Sequence, residues 1–212
     1  LAHRGVLFLD EFPEFDKKVI EALRQPLEDK SITISRAKGT LSFPAKCIVV
    51  ISMNPCPCGY GKEKGCKCSD RDIGNYNKKI SGPIVDRIDI WVSVSKIEYD
   101  KLSNKSLDNE NSQAIKKRVE ASRKIQRERF AKHGIKNKKY NSEMTIKDIE
   151  RCIRLEDDVT TLLKTSTERL GLSARAYHRI IKLSRTIADL EKSDKISKKH
   201  VLEAIQYRQK GF

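Results

Sequence analysis

Two adjacent carboxylates, Asp10 and Glu11, directly follow the apolar run Gly5-Val6-Leu7-Phe8-Leu9. Four bulky apolar residues in succession are typical of a strand that is buried on both faces of a parallel sheet, where ligands bind at the carboxyl end. There Asp10 could hold Mg²⁺, mostly through water, and Glu11 could polarise an attacking water, as in the Walker B element of a nucleotide hydrolase. The alternative is a buried strand that runs into an acidic turn or a helix N-terminus, where carboxylates are also favoured.

A second apolar run, Cys47 to Met53, predicts another buried strand, and it ends at the polar residue Asn54. The glycine-rich phosphate loop of such hydrolases ends in Gly-Lys-[Ser/Thr]. The one Gly-Lys pair here is followed by Glu63, so the sequence contains no Walker A motif. Since the chain also begins at Leu1, we expect a C-terminal piece of a longer protein that neither binds ATP tightly nor hydrolyses it alone.

Four cysteines form a close set of two Cys-x-Cys pairs separated by seven residues: Cys56, Cys58, Cys66 and Cys68. Four thiolates can hold Zn²⁺ in a closed tetrahedral site, which would make the metal structural. A reducing compartment favours metal over disulfides. Reduced free thiols and disulfides remain the alternatives.

The composition points to a polyanionic partner. Lys and Arg outnumber Asp and Glu by 44 to 29 among 212 residues, giving a formal net charge of +15, which favours nucleic acid over a merely solvated basic surface. No stretch approaches the ~18 apolar residues of a membrane span, and the N-terminus has no signal-peptide pattern. We expect a cytoplasmic protein with no membrane partner.

Several elements must position these residues. An apolar stripe predicts a helix over 16–27 that ends near Pro26, and two β-rich runs, 32–36 and 40–43, predict a hairpin. Another β-rich run follows at 91–94, and the polar stretch 100–112 is typical of an exposed linker.

A strongly basic helix is predicted over 112–132, and everything after it has helical patterns. Five of its cations are candidates for phosphate contact, although they could be merely solvated: Lys116, Lys117, Arg123, Lys124 and Arg127. In the last third, Thr145 and Asp148 form a predicted capping box, Gly171 a helix stop and Ser173 an N-cap. The shift from strands to helices divides the chain into 1–99, 100–141 and 142–212.

Six segments, taken in order, closely resemble the YifB/ComM family of Mg-chelatase-like AAA+ ATPases. They are Gly-Val-Leu-Phe-Leu-Asp-Glu (5–11), Leu-Arg-Gln-Pro-Leu-Glu-Asp (23–29), Ile-Thr-Ile-Ser-Arg-Ala (32–37), Met-Asn-Pro-Cys-Pro-Cys-Gly-Tyr (53–60), Ser-Gly-Pro-Ile-Val-Asp-Arg-Ile-Asp (81–89) and Arg-Leu-Gly-Leu-Ser-Ala-Arg-Ala-Tyr-His-Arg (169–179). The resemblance implies an α/β fold: the C-terminal part of an AAA+ P-loop ATPase core, with parallel-sheet strands, helices and a β-hairpin, followed by an all-helical lid domain.

The resemblance also implies roles for single residues. Asn54 matches sensor 1, Arg87 the arginine finger that reaches a neighbouring subunit's site, and Arg175 sensor 2. Each has a plainer alternative: a turn or cap amide for Asn54, an ion pair with Asp86 or Asp89 for Arg87, and a solvated helix-face charge for Arg175. The hairpin resembles a pore-facing hairpin that would point Arg36 and Lys38 at DNA, although an ordinary solvated turn would look the same.

A finger that acts in trans implies a self-assembled ring, which in related ATPases is hexameric, with ATP and Mg²⁺ bound between subunits. The function implied is ATP-driven remodelling of DNA, with branch migration or helicase activity as its form. Two other functions stay open. One is a chelatase-type ATPase subunit that acts on a protein partner in metal insertion. The other is a zinc-stabilised nucleic-acid-binding module without catalysis.

Overall fold

The computed structural model describes residues 1–37, 39–61, 65–94 and 110–208. Two compact units divide the chain, the first built from Leu1–Ile88 and the second from Asp89–Lys210. Lys38 and the part of the predicted linker at 100–109 lie outside the described residues. The finer division into 1–99, 100–141 and 142–212 stays a prediction.

The first unit contains two pairs of strands. Strands β1 (Val6–Leu9) and β4 (Ile48–Ile51) are parallel and in register along their whole length. Strands β2 (Ser31–Arg36) and β3 (Gly39–Pro44) form the predicted antiparallel hairpin, which closes between Arg36 and Gly39. The parallel pairing of two apolar runs that are widely separated in sequence agrees with the predicted fold class.

The prediction that β1 and β4 are buried on both faces is wrong for the part of the chain that the structure describes. Alternate side chains of both strands are exposed, with Val6 at 60%, Phe8 at 58%, Ile48 at 61% and Val50 at 42% of their full surface. Side chains alternate between the two faces of a sheet. The side chains of the opposite face are half-buried, and Leu9, Val49 and Ile51 among them pack against the core of this unit.

Helices in the first unit are short. The single helix predicted over 16–27 is instead two, α1 (Lys17–Ala22) and α2 (Arg24–Asp29), which meet at Leu23. Proline lacks an N–H and is tolerated in the first turn of a helix. Pro26, in the first turn of α2, therefore does not end the helical segment. Helices α3 (Asp70–Asn77) and α4 (Gly82–Val85) follow, and the core is formed by Phe12, Ile20, Leu27, Ile80 and Ile84.

From Ser112 onward, the regular elements in the described part of the second unit are all helices, as predicted. Its helices are α5 (Ser112–Lys132), α6 (Ile146–Cys152), α7 (Asp157–Arg169), α8 (Ala174–Leu190) and α9 (Lys198–Gln206). The capping box of Thr145 and Asp148 and the N-cap of Ser173 are confirmed. Gly171 adopts the positive φ of 59° that favours glycine after a helix.

The β-rich run at 91–94 does not form a strand. The backbone N–H of Trp91 instead donates to the carbonyl of Tyr207 at 2.8 Å, just after α9. The β-propensity of these residues favours a strand, but a strand also needs a neighbouring strand with which to form hydrogen bonds. Among the described helices, none is both long enough and apolar enough to cross a membrane.

Candidate functional site

Asp10 and Asn54 follow the carboxyl ends of the paired strands β1 and β4. The Ser52 backbone N–H donates to the Leu9 carbonyl at 3.0 Å, which continues the pairing beyond the strands. The Ser52 hydroxyl donates to Asp10 Oδ1. A shallow pocket at this edge is lined by Asp10, Glu11, Ser52, Met53 and Asn54. The register of the two strands thus brings together residues that are 42 positions apart.

Glu11 has a backbone conformation that few residues other than glycine adopt. Its φ and ψ are 50° and 41°, in the left-handed region, and a short 3₁₀ turn, Phe12–Glu14, follows it. The Glu11 N–H donates to Asp10 Oδ1 at 3.0 Å, and the Phe12 N–H donates to the Ser52 carbonyl at 3.0 Å. Such backbone strain concentrates at functional sites. Here it leaves the Glu11 side chain exposed at the pocket.

The donor set at this edge fits Mg²⁺. Carboxylate, hydroxyl and amide oxygens are the ligands that this hard cation takes, and Asp10, Glu11, Ser52 and Asn54 offer them around one pocket. Asp10 would hold the ion mostly through water, because Mg²⁺ retains most of its water ligands in proteins.

Asn54 has a buried neighbour that the sequence did not indicate. Tyr76 of α3 is only 4% exposed. Burial raises the pKa of Tyr76, the Glu14 carboxylate adds to this, and the backbone amide of Asn54 opposes it. Lys79 lies over the Tyr76 ring at 5.5 Å and pairs with Glu14 at 3.1 Å. The Tyr76 phenol is therefore held against the segment that carries Asn54.

Arg87 lies just after α4 and is held by its own unit. One of its Nη atoms donates to the Pro83 carbonyl at 2.7 Å, and the other pairs with the Glu28 carboxylate of α2. The Arg87 side chain is 12% exposed. Arg87 thus pairs with Glu28, a residue that sequence proximity did not suggest.

Two other predicted site cations are exposed. Arg36 ends β2 at the tip of the hairpin, and Arg175 lies in the first turn of α8 in the second unit. Lys38 lies outside the described residues. The roles assigned to these three cations stay predictions.

The four clustered cysteines converge. Their sulfur atoms all lie within 4.8 Å of one another, with 3.3 Å between Cys56 and Cys58, 3.8 Å between Cys56 and Cys66, and 3.6 Å between Cys58 and Cys66. All four are free thiols. Sulfur atoms at the corners of a tetrahedron around zinc, with Zn–S bonds of about 2.3 Å, are roughly 3.8 Å apart. The cluster therefore has dimensions that suit Zn²⁺.

Backbone N–H groups surround these sulfurs, as they do in sites that hold thiolates. The Gly61 N–H donates to Cys56 Sγ at 3.1 Å, and Cys56 is fully buried. The pKa of Cys58 is lowered to about 6 by hydrogen bonds from the backbone of Tyr60 and then Lys67. Because metal binds the thiolate, these donors favour the ionised form of Cys58. At Cys66 and Cys68, backbone hydrogen bonds are outweighed by contacts with the neighbouring thiols and by burial, which raise the pKa of both.

Helix α5 presents the predicted basic face to solvent. Lys116, Lys117, Arg123, Lys124 and Arg127 are all exposed, and at 3.6 residues per turn they fall within an arc of about 120°. Part of this charge is locally compensated. Lys116 and Lys124 lie 4.0 and 3.9 Å from Glu120 and Glu128, and Arg123 lies over the Tyr140 ring at 5.2 Å.

One basic residue of α5 turns inward instead. Arg129 pairs with Asp189 of α8, which is fully buried and also accepts from Arg185 Nε at 3.0 Å and from Asn141 Nδ2 at 2.8 Å. Arg185 is itself 4% exposed. This buried network links α5 to α8. Arg129 is one of the cations that make the predicted helix basic, but its side chain is mostly buried.

Sequence reasoning missed Ser52, Glu28 and Tyr76. A signal existed for Ser52, since a polar residue in the apolar run 47–53 that precedes Asn54 stands where ligands bind. Glu28 and Tyr76 carry no such local signal, because each is defined by a partner far away in sequence.

Comparison with known proteins identifies the family. The family described as "Magnesium chelatase, subunit ChlI" matches residues 1–102, and the one described as "Magnesium chelatase, subunit ChlI C-terminal" matches residues 109–208. Competence protein ComM of Haemophilus influenzae is 42% identical over 208 residues, which are 98% of this chain and 40% of that protein.

Two further relatives extend the comparison. YifB of Escherichia coli is 36% identical over 208 residues, again 98% of this chain and 40% of that protein. Maternal DNA replication licensing factor mcm6 of Xenopus tropicalis is 26% identical over 219 residues, which are 100% of this chain and 25% of that protein. The chain spans about two fifths of the length of its ComM and YifB relatives. The two matched regions, the identities and the α/β-plus-helical architecture place this chain in the ComM/YifB family of Mg-chelatase-like AAA+ proteins.

Proposed function

We propose that this chain is part of an ATP-hydrolysing motor that remodels DNA. The observation that carries the proposal is the convergence of Asp10, Glu11, Ser52 and Asn54 on one pocket at the carboxyl ends of two parallel strands. Fold and family are consistent with this use of the site. The sequence contains no Walker A motif, so the proposed activity belongs to the full-length protein.

Each residue of the pocket has a proposed task. ATP with Mg²⁺ supplies the phosphoanhydride and the charge neutralisation. Asp10 holds the cation, and the Ser52 hydroxyl fixes the orientation of the Asp10 carboxylate. Glu11 orients and polarises the attacking water, while the Asn54 amide aligns the same water. The left-handed backbone of Glu11 supports this assignment because it directs the side chain into the pocket.

The role proposed for Arg87 implies a ring of identical subunits. We propose six subunits, as in related ATPases. An arginine finger stabilises charge on the transferred phosphoryl group of a neighbouring site, so Arg87 would act only between subunits. Arg175 would contact nucleotide phosphate as sensor 2. The helical second unit would couple hydrolysis to movement.

DNA is the proposed substrate. We also propose that the protein is cytoplasmic. The net charge of +15 and the exposed cationic face of α5 support DNA, as does the similarity to a DNA replication licensing factor. The contacts would come from Arg36 and Lys38 of the hairpin and from Lys116, Lys117, Arg123, Lys124 and Arg127. Branch migration or helicase activity is the proposed form of the work.

Zinc is the proposed ligand of the cysteine cluster. The sulfur–sulfur distances and the backbone donors around Cys56 and Cys58 support a closed tetrathiolate site. Such a site leaves no open coordination position, so its role is structural. It is not part of the hydrolytic chemistry.

A second candidate function is a chelatase-type ATPase subunit that drives metal insertion through a protein partner. The descriptions of the two matching families favour it. The exposed cationic face of α5 favours DNA, because a protein partner gives no reason for five cations on one arc. Stimulation of ATP hydrolysis by DNA separates the two functions, since only the motor requires it.

The test is Glu11→Gln in the full-length protein. The amide keeps the shape of the side chain but cannot polarise water, so we expect turnover to fall about a hundredfold or more while nucleotide binding is retained. The matched control is Glu21→Gln, which removes a surface carboxylate paired with Arg24 and leaves turnover unchanged. Near wild-type turnover in Glu11→Gln would refute the role of Glu11.

A further inference from the structure

The cysteine loop joins two parts of the candidate hydrolytic site. Cys56 comes two residues after Asn54, and Cys68 directly precedes Ser69, the N-cap of α3. The Ser69 and Asp72 side chains form a capping box that fixes the start of this helix. Both ends of the thirteen-residue segment 56–68 are therefore ligands of the cluster.

The loop also closes on the residue next to Asn54. Gly61 has a positive φ of 63°, and a Cβ placed there would lie 3.1 Å from Cβ and Cγ of Pro55. The backbone of Gly61 thus lies tightly against the Pro55 ring, while its N–H donates to the buried sulfur of Cys56. The conformation of the loop and the position of Pro55 depend on each other.

The helix at the other end of the loop returns to Asn54 through Tyr76. This side chain is 4% exposed, covered by Lys79 at 5.5 Å, and its phenol lies against the backbone amide of Asn54. Asn54 is consequently held from the loop side by Pro55 and from the helix side by Tyr76.

We propose that Zn²⁺ bound by Cys56, Cys58, Cys66 and Cys68 makes this loop a clamp that positions Asn54, with Tyr76 as the positioning residue on the opposite side. The effect of the clamp on turnover depends on the proposed ATP hydrolysis. The metal site and the clamp themselves do not depend on it. Without metal, four thiols leave both ends of the segment free to move. Asn54 then loses its alignment while the strands that carry Asp10 stay paired.

The experiment uses the full-length protein purified without added zinc. We expect one zinc per chain by metal analysis, and its loss in Cys58→Ser or after treatment with a zinc chelator. Metal loss should raise hydrogen exchange at the backbone amides of 52–54 and of α3 and leave exchange in α8 unchanged. It should also lower turnover about tenfold or more without weakening nucleotide binding, and added zinc should restore the chelated protein. Cys152→Ser, which removes a thiol outside the cluster, is the matched control.

Tyr76→Phe separates positioning from folding because it removes only the hydroxyl. We expect full zinc content, unchanged nucleotide affinity, reduced turnover and faster exchange at Asn54. Zinc near zero with four titratable thiols would overturn the metal site, and unchanged exchange at 52–54 after metal loss would overturn the clamp. If the protein does not hydrolyse ATP at all, the proposed function fails, while zinc content and exchange still decide the clamp.

Discussion

Glu28 and Arg87 form an ion pair across 59 residues of sequence, and this pair holds the proposed arginine finger against its own chain. Arg87 is 12% exposed and also donates to the Pro83 carbonyl at 2.7 Å. A guanidinium held in this way is pre-oriented by two elements, α2 and α4. Glu28 is thus the residue that connects the finger to the fold.

A double-mutant cycle of Glu28→Gln and Arg87→Gln tests this connection. Because the Arg87 side chain is largely shielded from solvent and Glu28 is about one third exposed, we expect a coupling free energy of about 1–2 kcal/mol in urea unfolding followed by circular dichroism. The control cycle uses Glu156 and Lys195, an exposed pair at 2.7 Å, for which about 0.5 kcal/mol or less is expected. Additive effects of the two Gln substitutions would show that Glu28 does not hold Arg87.

The trans role of Arg87 predicts complementation in the full-length protein. Arg87→Ala and Glu11→Gln should each be inactive alone. Mixed rings should regain activity, because some interfaces pair the intact Glu11 of one subunit with the intact Arg87 of its neighbour. The measurement is ATP turnover across mixing ratios. Activity that never exceeds that of the separate variants would contradict a finger that acts in trans.

The cationic face of α5 predicts a steep salt dependence of DNA binding. Replacing Lys116, Lys117 and Lys124 with Gln keeps helix propensity and spares the contact of Arg123 with Tyr140. The slope of log affinity against log salt should flatten by about 2 to 3, since each lost phosphate contact contributes roughly 0.7–0.9. The control removes three cations that pair with carboxylates elsewhere in the second unit: Lys195, Lys198 and Lys199. An equal change in both variants would mean that net charge, not this face, binds DNA.

The buried network around Asp189 predicts a large loss of stability in the second unit. Asp189→Ala leaves the guanidinium groups of Arg129 and Arg185 without their shared partner in a buried site. We expect the free energy of unfolding, measured by urea titration, to fall by about 3–5 kcal/mol. Asp158→Ala, which breaks an exposed pair with Lys198 at 3.0 Å, should cost about 1 kcal/mol or less. Similar losses in the two variants would argue against the network.

The cap of α6 predicts an acid-sensitive contribution to stability. Burial opposes ionisation, but the Lys138 ammonium and hydrogen bonds from Thr145 hold the pKa of Asp148 at about 2, below its ordinary 3.8. The native state therefore favours the carboxylate. Its contribution is complete above about pH 4 and is lost as the pH falls towards 2. Asp148→Asn should lower the free energy of unfolding by about 1–2 kcal/mol at pH 6 and much less at pH 2. An equal loss at both pH values would contradict the role of the charge.

Local signals in the sequence were sufficient for much of the fold. The basic helix, the hairpin, the capping box at Thr145 and the stop at Gly171 each depend on residues within a few positions of one another. Backbone hydrogen bonding and side-chain capping act over that range, so the pattern of residue types suffices. Cysteine spacing likewise predicted a cluster of four thiols, because the loop that joins them is short.

Tertiary structure alone decided which residues surround these features and which side chains face solvent. Arg87 pairs with Glu28, the Asp10 carboxylate accepts from the Ser52 hydroxyl, and Arg129 of the basic helix pairs with the buried Asp189. These partners lie 42 to 60 residues apart. The same holds for the exposed face of β1, because a run of apolar residues does not reveal how many neighbours its strand will have. Long-range pairing and burial depend on how the elements pack, whereas caps, turns and helical periodicity depend on residues that are close in sequence.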